Sequence, residues 1–271
     1  MASAMGDPPA SLFEVVGSTF VPTAAAAGPW NEGVLHGGAV GALLAGLVDD
    51  PDQVVSRVLI DLLGPVPNEP LQAEVGPTEG GRRVVRQSVE LRAGDRPVAR
   101  AHALRMRLAD VELPAAATEH EVVFDPADRP ELARPNRHAL KTVGRESFDS
   151  LAMATWWEDP RPATPHRRRY WQRLLLPVVP GRPPSAIENV VAAADCGAGG
   201  THARLGFGSW TFMNADLVVC LSRPPASDWV GLECDGVLGS SGTGQSVSTV
   251  HDAAGPLGQA SQSIVLEPRP E

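Results

Sequence analysis

The chain has 271 residues, room for two ordinary domains, and its 43% hydrophobic and 20% charged residues describe a folded protein with a sizeable core rather than a disordered one. A net charge of -9 argues against a general nucleic-acid binder, which needs a basic face; Arg167, Arg168 and Arg169 form the one concentrated positive stretch. Residues 1–10 have no signal-peptide pattern, and the longest apolar stretch, residues 39–48, is about half of what a membrane-spanning helix requires.

Residues 12–21 form an alternating apolar stretch, and a glycine-rich turn follows. The segment 38–48 is too continuously apolar for a surface helix, so a helix buried on nearly all sides is predicted. Strand-like runs come next at about 54–63, 71–77, 82–92 and 96–108, separated by Pro and Gly turns. Residues 109–145 are rich in Pro, Ala and charge and are read as a connector. The order then repeats: an opening stretch at 147–157, a helix at 185–194, a glycine-rich break at 197–200, and strands at about 210–222, 229–237, 244–252 and 257–266. A repeat longer than 100 residues points to duplication of a whole domain, with units at 1–110 and 146–271 and the connector at 111–145.

Three places carry candidate chemistry. His36-Gly37-Gly38 opens the first buried helix, where unpaired backbone N–H groups and the positive end of the helix dipole suit a thioester carbonyl and its oxyanion. The alternative is a tight packing turn with His36 as a simple cap. Asp216 directly precedes an apolar strand; partly shielded, it would suit a base, and otherwise it is a solvated strand-edge residue. Gln262 lies on the last strand and points to the opposite face from Gln259, so only one of the two enters a given site. Cys196 beside Asp195 and His202 is a weaker nucleophile candidate, because closeness along the chain is not closeness of side chains. Trp156, Trp157, Trp210 and Phe212 suit an acyl tunnel or a packed core, and the three arginines a coenzyme A phosphate or a solvated connector. Cys196, Cys220 and Cys234 are odd in number and without metal-ligand spacing, which suits reduced thiols in a cytoplasm; the arginine-rich chain with its single Lys141 is a bacterial hint.

On His36-Gly37-Gly38 and its apolar helix, on residues 212–223 and on residues 250–262, the chain resembles acyl-CoA thioesterase-like double-hotdog proteins of the thioesterase II type. The resemblance implies an α+β fold: a tandem hotdog, each unit a long central helix wrapped by an antiparallel sheet. It also implies hydrolysis of acyl-CoA, or an acyl-carrier thioester, by direct water attack in fatty acid metabolism, with no covalent intermediate, cofactor or metal. Carried across, the water-holding Asp falls on Asp216 and the Gln on Gln262, while the expected hydroxyl falls on Val237, with Ser240, Ser241 and Thr243 the nearest substitutes. That departure keeps a non-catalytic acyl-thioester binding protein as an alternative. A hotdog enoyl-CoA hydratase is another, although its Asp-x-Asn-Pro-x-His element is absent. A homo-oligomer is left open.

Overall fold

The computed structural model describes residues 9–118, 144–157, 167–198, 205 and 209–269. Strands β1 (Phe13–Val16) and β2 (Thr19–Pro22) form a hairpin that turns at Gly17, whose φ of 62° is one that glycine adopts without strain. Helix α1 (Gly37–Leu47) follows, then β3 (Gln53–Leu62), β4 (Leu71–Val75), the two-residue β5 (Glu79–Gly80), β6 (Val84–Ala93) and β7 (Arg96–Arg107). The second half has the single-turn α2 (Phe148–Leu151), β8 (Met153–Trp157), β9 (Arg167–Leu174) and α3 (Ala186–Asp195). It ends with β10 (Trp210–Asn214), β11 (Asp216–Leu221), β12 (Val230–Leu238), β13 (Thr243–Asp252) and β14 (Gly255–Pro268).

All strands join one antiparallel sheet in the order β1-β2-β4-β6-β7-β3-β11-β14-β13-β12-β9-β8, with β5 attached to β6 and β10 to β14. The first six strands of that order come from residues before 108 and the last six from residues after 152, so β3 against β11 is the seam. Alternation along the strands sets the inner face. In β7, Ala99, Ala101 and Ala103 are buried while Arg100 and His102 point out, and the small inward side chains let α1 lie close to the sheet.

The two main helices pack antiparallel on each other: a Cβ added to Gly37 would meet Asp195, one added to Gly41 would meet Val191, and one added to Gly46 would meet Glu188. Sheet on one side and helix on the other explain why α1 is apolar all round. The main hydrophobic core runs through both halves, from Leu12 to Ala260, with two smaller clusters beside it. This is the hotdog arrangement of helix and wrapping sheet. The helices are short, 11 and 10 residues or about three turns, where long ones were expected, because each needs only to cross the sheet's inner face.

Two expectations shift. The strand read at 210–222 is two strands, broken at Ala215, whose N–H goes to Ser263 and whose carbonyl accepts from Leu62; among the described residues β10 pairs with β14 alone, whereas β11 pairs with β14 and β3. Arg167, Arg168 and Arg169 begin strand β9 rather than lying in a connector, because Tyr170 and Gln172 bury inward and Arg169 pairs with Glu233 across β12. Three consecutive charges hid the alternation that starts behind them.

The turn after β11 is fastened by a buried ion pair. Asp252 accepts from Arg223 at 2.6 and 2.7 Å and from the N–H groups of Ala226 and Ala254 at 2.7 and 2.8 Å. Burial alone would push this carboxyl up, but Arg223 and the two N–H groups outweigh it and hold it below the ordinary carboxylate range. A lowered folded-state value means stability that is present above the unfolded pKa and lost as pH falls through the folded one. Asp252→Asn is expected to reduce unfolding free energy near neutrality by about 2–3 kcal/mol, the deficit against wild type shrinking in acid, as read by denaturant titration at several pH values. At the helix pair, Gly41→Val puts a methyl-bearing Cβ 2.9 Å from Val191 Cγ1 and should destabilise by about 1–3 kcal/mol, visible as a lowered Tm.

Candidate functional site

Antiparallel packing sets the N-terminus of α1 beside the C-terminus of α3, so unpaired N–H groups of one helix meet the last carbonyls and the terminal carboxylate of the other. The sheet holds that end of α3. Three consecutive carbonyls are met by inward side chains from three strands: Gln262 Nε2 donates to Asp195 O at 2.9 Å, Tyr170 Oη to Cys196 O at 2.6 Å, and Ser246 Oγ to Gly197 O at 3.0 Å. Ser248 and Cys234 continue the network behind Tyr170. These bonds satisfy orphan carbonyls and fix where Asp195 stands.

The Asp195 side chain is 4% exposed. Its Oδ1 accepts from Gln262 Nε2 and from Asn214 Nδ2, each at 3.3 Å, and its Oδ2 lies 3.2 Å from His36 Nδ1. His36 is the N-cap of α1, its Nδ1 accepting the Gly38 N–H at 3.0 Å, and its ring stacks on Phe148 with centroids 4.6 Å apart. Helix α2 carries Phe148 and brings Asp149 Oδ2 to 3.6 Å from His36 Nε2. Nδ1 serves Gly38 when unprotonated and Asp195 when protonated, so the ring has two alternative hydrogen-bond patterns. Burial lowers the His36 pKa, but the carboxylates of Asp149 and Asp195 more than offset this and leave it above its ordinary value. Burial likewise pushes the Cys196 thiol well up, reinforced by Asp149 and Asp195, which keeps it protonated and unsuited to nucleophilic attack. Ala39 and Val40 return their N–H groups to His36 O, and among the described residues the Gly37 N–H has no partner. A buried carboxylate held by two amides, facing a free N–H at a helix start, can take a proton from water and stabilise an oxyanion.

Of the residues singled out from sequence, His36, Gly37, Gly38 and Gln262 come together here. Asp216 does not join them. It lies on the outer side of β11, in line with Val218 and the exposed Cys220, and its Oδ1 accepts the Ser263 N–H at 2.6 Å, whereas Gln262 faces inward. Val237 is 72% exposed on β12, and Ser240, Ser241 and Thr243 sit at the β12–β13 hairpin, where Ser241 and Thr243 hydrogen-bond each other. The third polar group on the carboxylate is instead the Asn214 amide. His202 and most of the connector lie outside the described residues. Trp157 packs on Tyr170, while Trp210 and Phe212 join Ala198, Ile264 and Leu266 just beyond α3. From sequence, Asp195 drew notice only as a neighbour of Cys196, and Asn214 was not singled out. The available signal was an acidic residue one helical turn after the buried Val191, on the apolar face of its helix.

The opposite end of the helix pair is filled differently. Glu188, 1% exposed, takes Arg182 through both oxygens and the Ser185 N–H through one, and Arg105 donates to Val48 O at 3.1 Å beside Asp50. Its carboxylate is held by an arginine, so the candidate site occurs at one end only.

Residues 26–106 match the family of the acyl-CoA thioesterase N-terminal domain and residues 117–266 that of the acyl-CoA thioesterase C-terminal domain. No curated protein matches the sequence. Among solved structures, the chain is similar to a tesB protein of Mycobacterium avium subspecies paratuberculosis (18% identity, 94% of this chain and 96% of that one, TM-score 0.63). It is also similar to a hot dog fold protein of unknown function from Alicyclobacillus acidocaldarius (15%, 97% and 97%, TM-score 0.68). A third is acyl-CoA thioesterase II TesB2 of Mycobacterium marinum (15%, 86% and 91%, TM-score 0.60). At these identities the likeness is one of fold. Independently of family, the carboxylates of Asp149 and Asp195 predict that the His36 imidazole titrates above its ordinary value and that Asp149→Asn lowers its midpoint, as followed by NMR across pH.

Proposed function

The chain belongs to the acyl-CoA thioesterase family and hydrolyses acyl-CoA thioesters, and on that premise we propose that Asp195, Gln262 and Asn214 hold the attacking water while the start of α1 receives the thioester carbonyl. The observation that carries this reading is the Asp195 carboxylate, buried, fixed by two amides at 3.3 Å and facing the first turn of α1. Asp195 takes a proton from water as the water oxygen attacks the carbonyl carbon. Gln262 orients the water through its amide oxygen. Negative charge passing to the carbonyl oxygen meets the Gly37 N–H and the positive end of the α1 dipole. The tetrahedral intermediate collapses with cleavage of the carbon–sulfur bond, and the coenzyme A thiolate leaves to be protonated. No enzyme-bound acyl group forms.

In the same reading the two halves are a tandem pair of hotdog units, 1–110 and 146–271, joined by the connector at 111–145, working in a bacterial cytoplasm on fatty acyl thioesters of coenzyme A or an acyl carrier. The helix-then-strands order in each half and the antiparallel meeting of α1 with α3 support it. Asp216, the base that the family resemblance assigns, lies on the far side of its strand from Gln262, so Asp195 is the better candidate.

Free thiol release from short, medium and long acyl-CoAs separates the two. Asp195→Asn should cut kcat by at least about 100-fold and Gln262→Ala by about 10-fold or more, with Asp216→Asn within about threefold of wild type. Loss of activity in Asp216→Asn with Asp195→Asn still active would return the base to Asp216.

A further inference from the structure

A second cluster stands directly against the water site. His36 Nε2 is 3.6 Å from Asp149 Oδ2, Cys196 Sγ is 3.9 Å from Asp149 Oδ1, and one donor atom from each of the three residues falls within 4.8 Å of the others. A tetrahedral ion with bonds of about 2.0–2.3 Å to nitrogen, oxygen and sulfur holds its donor atoms about 3.4–3.8 Å apart, so small side-chain adjustments complete the set. All three residues are partly exposed, which leaves the fourth position open to water. An independent feature points the same way. The other ring nitrogen, His36 Nδ1, is 3.2 Å from Asp195 Oδ2, and a carboxylate on the far nitrogen is what orients a metal-ligating imidazole. Mixed nitrogen, oxygen and sulfur donors favour a borderline cation over magnesium or calcium, which take oxygen. Spacing along the chain conceals this set, since its members come from the start of α1, from α2 and from the end of α3.

We infer that His36, Asp149 and Cys196 bind one borderline-soft divalent cation of the Zn²⁺ class, with Asp195 as the carboxylate behind the histidine. Binding displaces the Cys196 proton to solvent and converts the thiol to a thiolate ligand. With the ion on Nε2, Nδ1 keeps the ring's hydrogen and hydrogen-bonds to Asp195 Oδ2, so the Gly38 N–H loses its acceptor and one carboxylate oxygen is taken from the attacking water. Occupancy therefore slows hydrolysis. That consequence rests on the function proposed above, whereas the site itself does not.

The test is a Co²⁺ titration of the full, chelator-stripped chain without substrate. Expected are one equivalent bound, a thiolate-to-cobalt charge-transfer band in the near ultraviolet and the strong visible bands of a tetrahedral ion. Cys196→Ser should abolish the charge-transfer band, and both it and Asp149→Asn should weaken binding at least about tenfold, while Cys220→Ser, altering an exposed thiol elsewhere, keeps both. A wild type without the charge-transfer band, or a band that survives in Cys196→Ser, overturns the inference. In the second arm Zn²⁺ should slow release of free acid by the wild type and spare Cys196→Ser; equal slowing of both overturns the inhibitory role. Because the first arm uses no substrate, an intact band in a chain without hydrolase activity sinks the proposed function alone, and hydrolysis without a band sinks only the cation site.

Discussion

Close antiparallel contact between two short helices is the constraint on which the rest depends. Gly37, Gly41 and Gly46 line the face of α1 that meets α3, and a Cβ at any of them would collide with Asp195, Val191 or Glu188. With side chains removed from that face, the helices lie close enough for the start of one to touch the carboxylate at the end of the other. The opposed dipoles matter too. A carboxylate at a helix C-terminus is unfavourable in isolation, and here the N-terminus of α1 stands next to it. One steric requirement thus produces both the packing and the electrostatics of the site.

The sheet supplies the second level of control. Gln262 from β14, Tyr170 from β9 and Ser246 from β13 each receive one of the carbonyls that end α3 and its following turn. Those carbonyls would otherwise be buried without partners, at a cost of about 1–3 kcal/mol each. Gln262 acts twice, on the Asp195 backbone and on its side chain, so the contact that terminates the helix also orients the carboxylate. Helix termination and carboxylate placement are therefore coupled at this residue.

The two ends of the helix pair show how one architecture is used in two ways. At one end a carboxylate meets amides and an imidazole, and at the other Glu188 is held by Arg182 and the Ser185 cap. A guanidinium across both oxygens leaves a carboxylate as a structural anion. The acid at the first end has no guanidinium on it and meets the N-terminus of α1 instead, which is the difference between the two ends.

The alternation of the strands and the all-apolar helix of residues 38–48 were legible in the sequence because each depends on local periodicity and turn chemistry. His36, Gly37, Gly38 and Gln262 were legible as well, by motif and by strand parity. Strand β9 was not, since three arginines precede its buried residues, and neither was the placement of Asp195, which reads locally as the polar end of a helix. Asp216 drew attention because an acid before an apolar strand looks shielded, yet strand parity turns it outward from Gln262. Most of the elements were decided by local sequence, β9 and the break at Ala215 excepted. Which carboxylate faces the amides was decided only by tertiary structure, because Asp195, Asn214, His36 and Gln262 lie on separate elements and meet through the antiparallel contact of the helices and the register of the sheet.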